Sequence, residues 1–157
     1  MSDAPPAALP EVDLIAMLNA HRGGFDSSIG LTYTAATPDL VVAEVPVTPA
    51  LLQPYGLVHG GVYCAIAETV ASAGAAIDAM ARGWSTVGLE NSTAFVHAIR
   101  AGKIIATATP MQKGRRTHIW QVALRDEAGK LAATSRVRTL CLEPGAAIAG
   151  ETVKVKP

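Results

Sequence analysis

The chain has 157 residues, half of them apolar and only 17% charged, with 13 basic against 13 acidic side chains. That length fits a single domain with a substantial core, and the composition excludes wholesale disorder. A formal charge of zero supplies no field to draw in nucleic acid or an anionic membrane, so neither is expected as a partner.

Residues 1–10 carry neither a basic start nor an apolar stretch of signal-peptide type, and read as a loose Pro- and Ala-rich arm. Residues 11–21 place Val12, Leu14, Ile15 and Leu18 at helical spacing, and Gly23-Gly24 reads as the stop. Two strands are expected over 29–36 and 40–47, with the turn residues Thr37-Pro38-Asp39 between them. Residues 52–58 read as a loop containing Pro54 and Gly56, leading into His59-Gly60-Gly61 and a long apolar helix that ends near Gly83. Residues 62–81 are the most membrane-like stretch, yet they contain Glu68 and Asp78. A charge at bilayer depth costs about 2.5–3.5 kcal/mol, so a buried helix of a globular protein is expected instead. Four strands follow, over 85–97, 103–112, 117–125 and 131–142, separated by short turns at 100–102, 113–114 and 126–129.

Residues 1–27 therefore read as an arm and short helix, 28–143 as the domain, and 144–157 as a tail. Consecutive hairpins imply an antiparallel sheet. A helix that is apolar on nearly every face must be wrapped. The expected architecture is α+β, a curved antiparallel sheet around one long central helix. Such a sheet leaves edges to cover, so a homo-oligomer is expected. Cys64 and Cys141 lie in apolar runs without metal-ligand spacing. Neither a disulfide framework nor a metal site is expected, and a reducing cytoplasm fits.

The segment from Val58 to Glu68 carries the chemistry. Paired glycines at a helix start permit close backbone approach by a ligand. The first amides of a helix lack intrahelical acceptors, and the dipole makes that end partly positive, so a carbonyl oxygen gaining charge would be stabilised there. The same glycines also suit tight helix packing. Glu68 stands inside an otherwise apolar helix among Ala65, Ala67, Ala71 and Ala75. A buried carboxylate needs a partner or a raised pKa, and such groups in clefts serve as bases or nucleophiles. The alternative is a carboxylate paired with an arginine or capping a solvent channel. Ser72, four residues on, shares its helix face. Gly60 and Glu68 are roughly 12 Å apart along a helix axis. If both act on one carbonyl, they come from different chains, and the site lies at a subunit interface.

Gln53 could donate to the same carbonyl, and His59 could bind or shuttle protons. Asn91 and Thr93 could line a pocket or bond across strands. Lys113-Gly114-Arg115-Arg116-Thr117 is a basic turn suited to phosphate, or a solvated hairpin end. Phe95 or Leu89, with the alanine-rich helix, would line a pocket.

Gly56-Leu57-Val58-His59-Gly60-Gly61, with Tyr63-Cys64-Ala65 and Ala67-Glu68, resembles the hotdog-fold acyl-CoA thioesterases. The likeness covers about residues 28–143 and is greatest to the 4-hydroxybenzoyl-CoA thioesterase and phenylacetate-pathway (PaaI-like) branch, which has its carboxylate on the central helix. The resemblance implies that Glu68 is the nucleophile or the general base on water. It implies that the Gly60 amide polarises the thioester carbonyl with help from Gln53, and that His59 has a supporting role. Ser72 stands where that branch has threonine. Arg115, Arg116 and Thr117 fall in the loop that meets coenzyme A, where that branch has hydroxyl residues. The resemblance further implies a tetramer of paired dimers, an acyl-CoA substrate of the aromatic class, and no cofactor apart from the coenzyme A of the substrate. Two other functions compete with hydrolysis: hydration or dehydration of an acyl thioester, and acyl-CoA binding without turnover.

Overall fold

The computed structural model describes residues 13–153. The expected arm and the first residues of the expected 11–21 helix lie outside that span. Asp13 caps α1 (Leu14–Ala20), accepting from the Ala16 amide at 3.0 Å. Gly23-Gly24 does more than stop this helix. Gly23 is extended and caps a second short helix, α2 (Gly24–Ser28), which the double glycine conceals in the sequence. Gly30 then turns through the left-handed region at φ 71°, a conformation that glycine adopts without a Cβ penalty. The first strand, β1 (Thr32–Thr37), accordingly starts later than position 29.

Strand β2 (Leu40–Pro46) pairs back on β1, and a single 3-10 turn (Pro49–Leu51) leads towards the glycines. The apolar segment forms α3 (Gly60–Met80). Four long strands follow: β3 (Ser85–Phe95), β4 (Lys103–Lys113), β5 (Thr117–Asp126) and β6 (Leu131–Leu142). The expected tail contains one more small hairpin, β7 (Ala147–Ile148) with β8 (Glu151–Thr152).

The six long strands form one antiparallel sheet in the order β1-β2-β4-β5-β6-β3. After α3 the chain therefore crosses to the opposite edge of the sheet before it meanders back through β4 to β6. Alternation sets the inner face: Val41, Ala43 and Val45 on β2, Ile104, Ala106 and Ala108 on β4, and Trp120, Val122 and Leu124 on β5 are fully buried. Several of these are alanines, which let α3 lie close to the strands. The helix returns Ile66, Ala67, Val70, Ala71 and Ala75 to the same core. Among the described residues α3 is the one helix long and apolar enough to cross a membrane, but half of that stretch is buried inside the fold. This is the hotdog arrangement expected from the sequence.

Candidate active site

Glu68 is half-buried on α3, and two neutral donors hold it. Ser72 Oγ donates to Oε1 at 3.3 Å, one helical turn on, and Asn91 Nδ2 donates to Oε2 at 3.2 Å. The alternative of an arginine partner is thus replaced by an asparagine. Asn91 is itself fixed: Nδ2 also donates to the Cys64 carbonyl at 2.9 Å, and Oδ1 accepts from Thr93 Oγ1 at 2.7 Å and from Ser135 Oγ at 3.0 Å. A run of hydroxyl and amide groups from β6 through β3 to α3 therefore aims one carboxylate. Among the described residues dipoles and no cation hold that carboxylate, which suits a base or nucleophile.

A bulge makes this possible. The β3–β6 register slips between Gly88 and Glu90, so Leu89 is extra. Without it, Glu90 and Ser92 would share the face of Gly88. With it, Asn91 and Thr93 turn towards α3, and Glu90 turns out to pair with Arg138 at 3.1 Å. Gly88 also makes room: a Cβ there would lie 2.1 Å from Glu68 Oε1.

The start of α3 is a second centre. His59 caps it, with Nδ1 accepting from the Gly61 amide at 2.9 Å, so the ring proton of the neutral imidazole sits on Nε2. The Val62 amide is taken by the His59 carbonyl at 2.9 Å. Among the described residues the Gly60 amide has no such backbone acceptor, so it is free to donate to a ligand. Phe95 covers Gly60, its ring 2.9 Å from where a Cβ would be. Gln53 Oε1 accepts from the Tyr55 amide at 3.0 Å, which leaves the Gln53 NH2 as the end that can donate.

The structure thus joins Glu68, Ser72, Asn91 and Thr93 in one cluster, places His59 and Gly60 at the helix start, and sets Gln53 in the loop before it, where its own amide donates to the Leu57 carbonyl at 2.7 Å. It does not bring Arg115, Arg116 and Thr117 to either. That turn lies at the far end of α3, where Arg82 Nη1 donates to the Arg115 carbonyl at 3.1 Å and the Arg115 side chain meets Glu143 at 3.4 Å. Gly88 and Ser135 were not among the expected site residues. A glycine inside a strand is a signal of a bulge or close approach, whereas nothing local marks Ser135. A cleft of about 560 Å³ opens beside Glu68 and Ser72 and runs along α3 under α1.

The family model described as "Thioesterase superfamily" matches residues 55–133. The chain belongs to the thioesterase superfamily. The chain is 43% identical over 121 residues to a Mycobacterium tuberculosis protein named provisionally as an esterase, covering 76% of this chain and 86% of that protein. It is 34% identical over 126 residues to the proofreading thioesterase EntH of Cronobacter sakazakii, covering 80% of this chain and 91% of the relative. The solved structure of thioesterase HI1161 from Haemophilus influenzae superposes with a TM-score of 0.79 at 31% identity, covering 85% and 93% of the two chains. The enzyme is a thioester hydrolase.

For this thioesterase, Gly88→Ala tests whether the bulge positions the carboxylate. The added methyl must move Glu68 off its two donors. A misplacement of about 1 Å can cost about 100-fold, so kcat should fall by about that factor with KM little changed. An unchanged kcat would show that the placement of Glu68 against Gly88 is not used.

Proposed function

We propose that the protein hydrolyses acyl-CoA thioesters, with the acyl group in the cleft beside Glu68 and an aromatic acyl group as the class suggested by its resemblance to the 4-hydroxybenzoyl-CoA and PaaI-like branch. The observation that carries this reading is the Glu68 carboxylate, fixed by Ser72 and Asn91 at the head of that cleft. The thioester carbonyl is polarised by the free Gly60 amide and by Gln53. Glu68 attacks it or takes a proton from an attacking water, the oxyanion is held at the helix start, and the thiolate of coenzyme A leaves. The role of His59 is to cap α3, which leaves the Gly60 amide for the substrate.

Gly60 and Glu68 stand eight residues apart on one helix, roughly 12 Å along its axis, so the two act on one carbonyl only when they come from two chains. β3 supports a dimer of that kind. It is an eleven-residue edge strand, and Leu89, Phe95 and Val96 expose 49%, 58% and 61% of their surface. A long edge with apolar side chains is a surface to be paired. Pairs of such dimers are the proposed assembly. The basic turn of Arg115, Arg116 and Thr117 is proposed only as a contact for the distant phosphates of coenzyme A; Arg115 is 79% exposed there.

Mixed dimers test the shared site. Gln53→Ala and Glu68→Ala chains, each weak alone, are unfolded together and refolded as a mixture. Random pairing makes half the dimers mixed, each with one site that has both native groups. About a quarter of wild-type activity should return. No recovery would place Gln53 and Glu68 in one chain's site and remove the two-chain reading.

A further inference from the structure

The cleft beside Glu68 is much longer than an aromatic ring needs. It follows one stripe of α3, from Glu68 and Ser72 past Ala73 and Ala76 to Met80, and α1 covers it with Met17 and Leu18. From Glu68 to Met80 the helix advances roughly 18 Å. An extended hydrocarbon chain advances roughly 1.3 Å per carbon, given a C–C bond of about 1.5 Å. The stripe is therefore about fourteen carbons long, whereas a single ring joined to the thioester ends near Ala73.

The wall is also wrong for the polar arm of coenzyme A. Three of its polar side chains, Thr69, His21 and Arg22, are already engaged with a neighbouring side chain or with backbone. Thr69 Oγ1 donates to Asp26 Oδ1 at 2.9 Å, His21 Nδ1 meets the Met17 carbonyl at 2.9 Å, and Arg22 donates to the Asn19 and Leu31 carbonyls. Amides of a pantetheine arm would find few partners here and would be costly to desolvate, whereas methylenes fit alanine and methionine side chains.

We infer that the cleft is a channel for an extended aliphatic acyl chain of about ten to fourteen carbons, so that the substrate class reaches beyond aryl thioesters. This rests on the acyl-CoA thioesterase reading and deepens it. The turn from Gly24 to Ser28 has a specific part: α2 ties itself to α3 through Asp26 and Thr69, which keeps the channel wall in place.

The test is a chain-length profile of kcat/KM with acetyl-, hexanoyl-, decanoyl-, tetradecanoyl- and benzoyl-CoA. The wild type should favour decanoyl- and tetradecanoyl-CoA over acetyl-CoA. Ala76 lies about 12 Å along the channel, so Ala76→Phe should cut decanoyl- and tetradecanoyl-CoA by about tenfold or more while hexanoyl- and benzoyl-CoA stay within about twofold. Met80→Trp, at an exposed position, is the safer plug for folding and should affect tetradecanoyl-CoA alone. A wild type active on benzoyl- and acetyl-CoA but not on longer chains would overturn the channel and leave the thioesterase intact. A plug that raises KM for every thioester, acetyl included, would assign the cleft to the arm of coenzyme A and overturn it too. Loss of all turnover in the wild type would remove the acyl-CoA reading, and the inference with it.

Discussion

Glu68→Ala is expected to lower kcat by about 10³-fold or more, with the melting temperature within a few degrees of the wild type. The loss follows from the chemistry. Among the described residues Glu68 is the carboxylate that Ser72 and Asn91 hold, and on the proposed mechanism the groups at the helix start only polarise the carbonyl. The fold should survive because Asn91 keeps its bonds to the Cys64 carbonyl, to Thr93 and to Ser135 when the carboxylate goes. Removing a half-buried charge also removes its desolvation cost, which offsets the lost hydrogen bonds. CoA release followed with a thiol reagent, beside a thermal melt, reads both quantities. Glu68→Gln separates the two roles. If Glu68 orients and deprotonates water, an amide still orients it, and some turnover remains. If Glu68 forms an acyl-enzyme, Gln is as inert as Ala, and a pre-steady-state burst in the wild type should accompany that result. A fully active Glu68→Ala would sink the assignment.

Much of this was legible in the sequence because the signals are local. Alternating apolar residues and turn residues placed β2, β4, β5 and β6 to within a residue or two. A carboxylate alone in an apolar helix pointed to Glu68, and the i+4 spacing pointed to Ser72. What failed depends on backbone detail or on distant pairing. Gly23-Gly24 looks like a helix stop, but one glycine is a cap and the other opens α2. The short hairpin of β7 and β8 lies where only a tail was expected. That β3 pairs with β6 at the far edge cannot be read from a window of neighbours. The extra residue at Leu89 is the clearest case. One residue of slip exchanges the two faces of a strand, and it alone decides that Asn91 and Thr93, not Glu90 and Ser92, reach the helix. Asn91 and Thr93 were expected to line a pocket or to bond across strands; both bond across to Ser135 on β6, and Asn91 also holds the Glu68 carboxylate, a link no local signal announced.

Gly74→Ala is expected to be the most revealing stability change, because the helix meets the sheet there with no space at all. Gly74 is buried on α3, and a Cβ would lie 2.5 Å from Cη2 and 2.7 Å from Cζ3 of Trp120. Trp120 is fully buried on the central strand β5, so its ring has nowhere to go. An exposed Gly→Ala change in a helix gains about 1 kcal/mol. Here overpacking of about 3 kcal/mol opposes it, and the net loss should be about 2 kcal/mol. For a chain of this size that lowers the melting temperature by about 4–8 °C. Trp120→Phe removes the clashing atoms and leaves a partial void, so it should cost stability alone. Gly74→Ala placed in that background should then become neutral or stabilising, since the methyl fills the space the indole vacated. The coupling between the two positions should exceed about 1 kcal/mol. The four proteins need to be melted at one fixed concentration, because association shifts the apparent midpoint. Additive effects would mean that Gly74 is kept for some reason other than the close passage of α3 over Trp120.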